Sequence, residues 1–305
     1  MIVTNATLSA LRTAFSKHFQ DGQNGVEPQF SRIASVIPST TATNTYGWLG
    51  EWPGFREWIG DRQHKSMKEK AYSIANKDYE SSVNVQRNHI EDDQLGIYEP
   101  MFKEAGRATI MFPDELIFPQ LALGETSTCY DGQYFFDTDH PVNAEVDGSG
   151  ADSSVSNMIV DAGYTGPTWY MMCTKRALKP LIYQERKKPQ FVAMTKMDDE
   201  SVYLKKEFRY GIDLRANAGF GFWQMAIAIK AEPTADVIWQ AVELMKSFTA
   251  DGGRKLGLMP DLIVAPSEKE KVITRILSRE NIEENGASVT NELKDKYELL
   301  VAHQL

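Results

Sequence analysis

The feature that most constrains this chain is a regular apolar stripe within residues 91–124. Its members recur at alternating steps of three and four, which places them on one face of a helix. An acidic run, Glu91-Asp92-Asp93, stands where the positive end of a helix dipole stabilises carboxylates, and Gly124 is a suitable terminator. The pattern therefore predicts a long helix with one buried face. The stripe comprises Leu95, Tyr98, Phe102, Ala105, Thr109, Phe112 and Leu116.

Proline and glycine modify this predicted helix. Because a proline inside a helix removes one hydrogen bond and clashes with the preceding turn, Pro100 and Pro113 predict a bent or segmented helix. Gly106 has no side chain, so another backbone can approach it closely. The segment from Leu116 to Leu123 is apolar on more than one side, which predicts burial by its own domain or by a neighbouring subunit.

Length and charge exclude several classes of protein. A chain of 305 residues suits two domains, and a charged fraction of 25% is ordinary for a globular protein. A net charge of -9 argues against a protein that coats duplex nucleic acid, because that affinity comes from Lys and Arg. No apolar run predicts a membrane helix, and no secretory signal is evident. The two cysteines, Cys129 and Cys173, fit a reducing cytosol and are expected to be small buried hydrophobes.

The first 46 residues divide into a helix and an arm. Residues 5–19 predict an amphipathic helix with Leu8, Leu11, Phe15 and Phe19 on one side. From Asp21 to Tyr46 the chain is rich in Gly, Pro, Ser and Thr, which predicts an extended arm with little core of its own. Such an arm is expected to lie on another copy of the chain.

Residues 47–90 predict a long hairpin. Three of the six tryptophans lie near its beginning, a charged stretch occupies residues 61–70, and the second half alternates like a strand. Because a two-stranded ribbon is marginally stable alone, a projecting hairpin is expected to rest on a partner. The candidate intersubunit contacts are therefore Trp48, Trp52, Trp58, Arg62, Lys65, Lys68, Phe15 and Phe19.

The rest of the chain changes pattern once. Residues 129–230 have strand-like composition in five stretches, whereas from Thr234 onward helices alternate with short strands. The second region predicts a compact domain of roughly 70 residues, near the lower limit for independent folding. The five predicted strands are residues 133–136, 169–173, 191–195, 202–208 and 221–230.

Two clusters contain side chains that bind divalent metals. One is His89 with Glu91, Asp92 and Asp93, and the other is Asp137 with Asp139 and His140. They support an alternative hypothesis of a metal-dependent cytosolic enzyme. Acidic residues are nevertheless common at helix starts, and Pro141 gives the second cluster the composition of a turn. Neither cluster has the paired histidines of a zinc protease, so the sequence predicts no catalytic residue, cofactor or bound metal.

A second alternative is an RNA-binding strand. The run Gly219-Phe220-Gly221-Phe222 copies the centre of a strand whose aromatic rings stack on RNA bases. Ala218 replaces the basic residue that leads this motif, and the chain is acidic. Aromatic packing in the core of a sheet is therefore the favoured interpretation.

Four long motifs resemble the major head subunit of Mu-like bacteriophages, in the same order and across essentially the whole chain. They are RNHIEDDQLG at residues 87–96, YDGQYFFDTDHP at 130–141, GFGFWQ at 219–224 and LGLMPDLIVAP at 256–266. The resemblance implies an α+β, HK97-type capsid fold. It also implies a structural function: self-assembly into the icosahedral head shell that encloses phage double-stranded DNA.

The resemblance also implies a division of the chain. Residues 1–46 would be an N-terminal arm, 47–90 an E-loop hairpin with its base, 91–230 a peripheral domain with a spine helix at 93–123, and 231–305 an axial domain. An axial domain at the C-terminus would be a permuted order, with residues 169–230 closing the peripheral sheet. The implied partners are further copies in hexamers and pentamers, a scaffold or protease during assembly, and decoration and portal proteins. The implied location is the virion, after assembly in the host cytoplasm and without membrane contact.

Overall fold

The structure, a computed structural model, describes residues 3–50, 52, 72–92, 95–146, 148–284 and 287–305. The helices are α1 (Asn5–Gln23), α2 (Arg87–Glu91), α3 (Glu99–Ala122), α4 (Glu200–Lys205), α5 (Ala235–Ser247) and α6 (Ser267–Ser278). The strands are β1 (Ala34–Pro38), β2 (Thr43–Tyr46), β3 (Tyr72–Ala75), β4 (Lys77–Gln86), β5 (His140–Asn143), β6 (Asp152–Val155), β7 (Met158–Val160), β8 (Trp169–Met172), β9 (Leu181–Met194), β10 (Glu207–Phe220), β11 (Ala226–Lys230), β12 (Leu262–Ala265), β13 (Asn281–Glu284), β14 (Ala287–Thr290) and β15 (Glu298–Val301).

A four-stranded sheet, ordered β1-β9-β10-β4, supports the long helix. β9 and β10 form an antiparallel hairpin of 14 residues on each side, β4 adds to it antiparallel, and β1 lies parallel to β9. Successive strand residues point to opposite faces. On β10 the residues Phe208, Tyr210 and Ile212 are buried while their neighbours are only partly covered, so one face of the sheet packs against helices.

The covering layer consists of α1 and α3, which pack against each other and against this sheet. Phe102 and Thr109 of the predicted stripe are buried on α3, and Tyr98 is buried just before it. The Phe102 ring stacks on Phe15 of α1 with 4.2 Å between ring centroids. The predicted long helix and its buried face are confirmed. Its second half is buried as well, through Ile117, Phe118 and Leu121.

The start of the long helix differs from the prediction. The acidic run does not open α3, because α2 ends at Glu91 and α3 begins at Glu99. Pro100 lies in the first turn of α3, where an N–H would have no intrahelical acceptor. Pro113 lies inside α3, yet the helix runs without a break over its full length of 24 residues. The expected division into segments is therefore wrong. Gly124 follows the helix in a short 3-10 turn.

The predicted arm is part of the core. Beyond α1, Phe30, Ile33 and Ala34 are buried, and β1 pairs with the Leu181–Glu185 segment of β9. Residues 34–38 and 43–46 are extended strands, as the composition predicts, and β1 lies on the sheet of its own chain. The pairing partner of β1 is almost 150 residues away, which local composition does not reveal.

The predicted hairpin has a paired base formed by β2 and β3, which run antiparallel from Thr43↔Ala75 to Tyr46↔Tyr72. The chain between these strands includes residues 53–71, which lie outside the described residues, as does Glu51. The alternating second half is confirmed as β3 and β4, but β4 extends the four-stranded sheet through its pairing with β10.

A second sheet, ordered β15-β12-β8-β11-β7, carries α5 and α6. Every residue of β8 and β12 is buried, as expected of central strands covered on both faces. β8 and β11 come from residues 169–230; β8 pairs with β12 of the C-terminal region, and β11 pairs with β8. The implied boundary between residues 230 and 231 therefore falls within one sheet, whereas β9 and β10 of that region lie against α3.

Two of the five predicted strands do not form as such. Residues 200–205 are the helix α4, capped by Asp199 and ended by Lys206 in the left-handed region with φ 56°. Residues 133–136 are irregular, with one isolated bridge between Tyr134 and Thr128. Val202, Tyr203 and Phe208 give residues 202–208 the composition of a strand, but only the last two residues of this range lie in β10.

Candidate functional site

The tryptophans at the base of the hairpin pack on their own chain. The Trp52 ring lies 4.3 Å from the Phe222 ring, and the Trp48 ring lies 6.0 Å from it. The Trp52 carbonyl accepts a hydrogen bond from Arg254, and the Arg176 guanidinium lies 5.6 Å from the centre of the Trp52 ring. Both indoles remain half-buried, so they anchor the base of the hairpin and keep part of each ring accessible.

The other predicted contact residues have different outcomes. Trp58, Arg62, Lys65 and Lys68 lie outside the described residues. The helix prediction for α1 is confirmed, but Phe15 and Phe19 face the interior, with 3% and 5% of their surfaces exposed. The structure thus places both phenylalanines within their own subunit, against α3 and β9.

The cluster around residue 89 does not converge on one point among its described members. His89 Nδ1 lies 2.6 Å from the Tyr98 hydroxyl, whereas Glu91 accepts a hydrogen bond from Arg87 at 2.9 Å. Asp92 is exposed, and Asp93 lies outside the described residues. The contact between His89 and Tyr98 joins α2 to the residue before α3, and the Arg87–Glu91 hydrogen bond lies within α2. Both contacts are structural.

The cluster of residues 137–140 also separates. One carboxylate oxygen of Asp137 accepts from the Tyr134 N–H at 3.2 Å and the other from the Thr138 N–H at 2.8 Å, which is turn chemistry. Asp139 is exposed, and a hydrogen bond with the Asp137 carboxyl raises its pKa. His140 points elsewhere, toward Asp131.

A buried cluster that the sequence did not predict surrounds His140. Its Nδ1 lies 2.7 Å from Asp131 Oδ2, and the Cys129 thiol donates to Asp131 Oδ1 at 3.0 Å. The imidazole stacks on the Trp223 ring with 4.0 Å between centroids. Cys129 and Asp131 precede His140 within the same motif-bearing loop, and this was the available sequence signal.

Burial and neighbouring charges shift the pKa values of Cys129 and Asp131 in opposite directions. Burial, together with the charge of nearby Asp131, raises the pKa of the Cys129 thiol well above its usual range. Burial opposes ionisation of Asp131, but the hydrogen bond and charge of His140 and the thiol hydrogen bond lower the pKa of that carboxyl. The arrangement thus keeps a thiol donor beside an ionised carboxylate.

Exposed apolar side chains concentrate at the far end of the β9–β10 hairpin, which we call the hairpin tip (residues 192–204). α4, a helix of six residues, lies within this tip. Its Tyr203 is 83% exposed and its Leu204 is 64% exposed. The sequence did not predict this surface because these residues were assigned to a strand. The exposed apolar side chains of the hairpin tip are Val192, Met194, Met197, Tyr203 and Leu204.

The Phe220 and Phe222 rings are not available for stacking on RNA bases. Only 1% of Phe220 and 3% of Phe222 are exposed. Phe220 stacks on Phe135 with 4.4 Å between centroids, and Phe222 packs on the hairpin-base tryptophans. Aromatic packing in a sheet core, the favoured interpretation, is confirmed.

Solved structures establish the class of protein. The chain is similar to a subunit of the procapsid of bacteriophage JBD30, with 46% identity, a TM-score of 0.88, and coverage of 99% of this chain and 100% of that one. It is also similar to the capsid of bacteriophage JBD30, with 31% identity, a TM-score of 0.79, and coverage of 100% and 99%. The α+β, HK97-type capsid fold is thereby confirmed, and the chain is a structural phage capsid protein rather than an enzyme.

Sequence relatives identify the family. The model of the Mu-like prophage major head subunit gpT matches residues 8–305, and the chain belongs to this family. It is 47% identical to the major capsid protein of Escherichia phage Mu over 305 residues, which is 100% of both chains. It is also 47% identical to the Mu-like prophage FluMu major head subunit of Haemophilus influenzae, covering 96% of this chain and 95% of the relative. The chain is therefore a component of a phage head shell.

A helix that spans a membrane must be both long and apolar. None of the helices within the described ranges is long and apolar enough to cross a bilayer.

Proposed function

We propose that copies of this chain assemble as hexamers and pentamers into an icosahedral head shell that encloses phage double-stranded DNA without reading its sequence. The observation that carries this proposal is the end-to-end similarity to a procapsid subunit, with a TM-score of 0.88. A net charge of -9 suits a container, because a lining rich in Lys and Arg would hold the phosphates tightly.

The division into domains is part of the proposal. α1, α3 and the four-stranded sheet form the peripheral domain, with α3 as the spine helix. The five-stranded sheet with α5 and α6 forms the axial domain at the C-terminus. This division assigns β8 and β11 to the axial domain, because they lie between β12 and β7 in its sheet.

The hairpin tip is proposed as one contact surface between copies. Contiguous exposed apolar surface is uncommon on proteins that stay monomeric, and it marks association sites. Burying a fully exposed side chain of the size of Tyr or Leu in an interface contributes roughly 1.5–3 kcal/mol. Repeated around a closed shell, such a contact is multiplied by the number of copies, which makes stability inseparable from assembly.

The hairpin between β2 and β3 is proposed as the second contact. Trp48 and Trp52 fix its base to the Phe222 ring. Trp58, Arg62, Lys65 and Lys68 belong to that connection and would contact a neighbouring copy. Large aromatic side chains at such a base are well suited to concentrate interface energy.

Further partners belong to the same proposal. The capsid of bacteriophage JBD30 is described in one solved structure as decorated with minor capsid protein trimers, and its subunit resembles this chain with 31% identity and a TM-score of 0.76. We propose that a minor capsid protein likewise decorates the shell formed by the present chain. A scaffold or protease during assembly, a portal protein, and assembly in the host cytoplasm before entry into the virion complete the proposal.

Assembly of the purified protein tests the role of the hairpin tip. Replacing Leu204 and Tyr203 together with Asp adds charge to the exposed apolar surface, and we expect head-sized particles to disappear from negative-stain micrographs. Thr13→Asp on the exposed side of α1 adds the same kind of charge away from the hairpin tip. Particles formed normally by the double variant would refute the contact surface, whereas wild-type protein that remains a small oligomer would refute shell assembly itself.

A further inference from the structure

The buried cluster beneath Trp223 has the ligands of a metal site. One atom each from Cys129, Asp131 and His140 lie within 4.8 Å of one another. They supply sulfur, oxygen and nitrogen, a mixed set that suits Zn²⁺ among the biological divalent ions. This set differs from Asp137, which accepts hydrogen bonds within the turn, and from Asp139, which is exposed.

Burial gives these donors an unusual environment. The side chain of His140 is 0% exposed and that of Asp131 is 5% exposed. Among the described residues, Asp131 forms its ion pair with His140 and with no Lys or Arg. His140 Nε2 is buried without a hydrogen-bond partner in the same part of the chain. An ion bound at Nδ1 would not contact Nε2, so the case for a metal rests on the three buried donors that converge on one point.

The position of the cluster in the chain also indicates a cross-link. Residues 126–139 connect the 3-10 turn Leu123–Glu125 with β5 and contain no named helix or strand. Irregular connections of this length are uncommon in compact domains, and the middle of this one is held by the buried Phe135 and Phe136. Cys129 and Asp131 lie near the beginning of this loop and His140 at its end, so one ion bound by all three would fasten the loop into a closed unit.

We propose that Cys129, Asp131 and His140 bind one structural Zn²⁺ ion that fastens the loop of residues 126–139 to the core. Binding displaces the thiol proton of Cys129 and any proton on His140 Nδ1, and displaced protons leave to solvent. With a thiolate, a carboxylate and a neutral imidazole as ligands, the ion and its ligands carry no net charge. The occupied site therefore places no uncompensated charge in the interior, which would be costly.

The geometry needs only a small adjustment. Zinc binds sulfur at about 2.3 Å and nitrogen or oxygen at about 2.0–2.2 Å, so tetrahedral ligands lie roughly 3.3–3.7 Å apart. The hydrogen-bond distances of 2.7 and 3.0 Å around Asp131 would each lengthen by less than about 1 Å to admit the ion, and the three donor atoms already lie within 4.8 Å of one another. Trp223 holds the plane of the imidazole, because its ring stacks on His140 at an interplanar angle of 10°. The side chains of His140 and Asp131 are 0% and 5% exposed and Cys129 is 5% exposed, so no substrate reaches the ion. Three protein ligands leave the fourth tetrahedral position to a small ligand such as water.

Metal content and a cobalt spectrum test the proposal on the purified, assembled protein expressed with added zinc. We expect one zinc per chain in the wild-type protein and in Cys173→Ser, whose buried thiol lies outside the cluster. Cys129→Ser should lose most of the zinc. With cobalt in place of zinc, wild type and Cys173→Ser should show a near-ultraviolet sulfur-to-cobalt charge-transfer band that Cys129→Ser lacks.

The proposal fails if the wild-type protein retains no zinc and shows no sulfur-to-cobalt band. It also fails if Cys129→Ser retains as much zinc as Cys173→Ser, because the metal would then be bound elsewhere. The wild-type measurements need no variant to fold, so they decide the question even where Cys129→Ser is insoluble. If wild-type protein that retains no zinc still assembles into heads, the metal site is refuted and the proposed capsid function stands.

Discussion

Gly106 of α3 lies against the backbone of α1 at Phe19, so closely that a Cβ at position 106 would sit 2.0 Å from the Phe19 carbonyl oxygen. The contact is reciprocal one turn away, because a Cβ on Gly22 would sit 2.0 Å from the Lys103 carbonyl oxygen. The two helices therefore touch through backbone at two glycines. This close approach lets Phe15 and Phe102 stack above the sheet.

Gly106→Ala should destabilise the protein despite a better helix propensity. Alanine gains about 1 kcal/mol over glycine in a helix interior, but the helices must separate to admit the methyl group. Because overpacking of this kind costs about 1–3 kcal/mol, we expect a lower midpoint in thermal unfolding. Gly96→Ala is the matched control, since nothing lies within 4 Å of its added Cβ. If Gly106→Ala unfolds at the same temperature as wild type, the helices separate without a loss of stability and the prediction is wrong.

The two glycine contacts show how far sequence reasoning reaches in this fold. The apolar period predicted both α1 and α3, and Gly106 was predicted as a point of close approach, because helix faces depend on neighbours three and four residues apart. The pairing of β1 with β9 was not predictable in this way, since its partners lie almost 150 residues apart. The same holds for the site: the His140 motif was visible, but its approach to Asp131 depends on how an irregular loop folds.

Asp114→Ala should loosen the junction between the chain after α1 and the long helix. The Asp114 carboxylate, buried on α3, accepts hydrogen bonds from the N–H groups of Gln29 at 3.0 Å and Phe30 at 2.6 Å. Water can replace the acceptor at exposed Gln29 but not at buried Phe30, so we expect a loss of roughly 1–3 kcal/mol in the free energy of unfolding. Glu104→Ala removes an equal charge from the exposed side of the same helix and should have little effect. Equal stability of the two variants would contradict the proposed junction.

The contribution of Asp114 should also depend on pH. Burial raises the pKa of this carboxyl, and the two backbone hydrogen bonds only partly offset that effect. A raised pKa in the folded state means that folding favours the protonated form. The stability that this linkage adds is present below the unfolded pKa of about 3.9 and is lost as the pH rises through the higher folded value. The difference in unfolding free energy between wild type and Asp114→Ala should therefore narrow from about pH 4 to pH 7, and a difference that widens over this range would refute the assignment.

Trp52→Ala should impair head assembly more than it impairs folding. Its indole packs 4.3 Å from Phe222 and lies under the Arg176 guanidinium, so its loss frees the base of the hairpin from the subunit. Truncating a half-buried tryptophan costs about 1–3 kcal/mol of local packing, which the large core of the chain tolerates. The paired base of the hairpin then loses an anchor on its own subunit, and we expect the fraction of protein in head-sized particles to fall severalfold in negative-stain micrographs. Trp239→Ala is the matched control, because that half-buried indole lies under Lys296 at 4.0 Å on α5, away from the hairpin base. Assembly lost equally in both variants would attribute the effect to general destabilisation, and assembly retained in Trp52→Ala would remove the hairpin base from the contact surface.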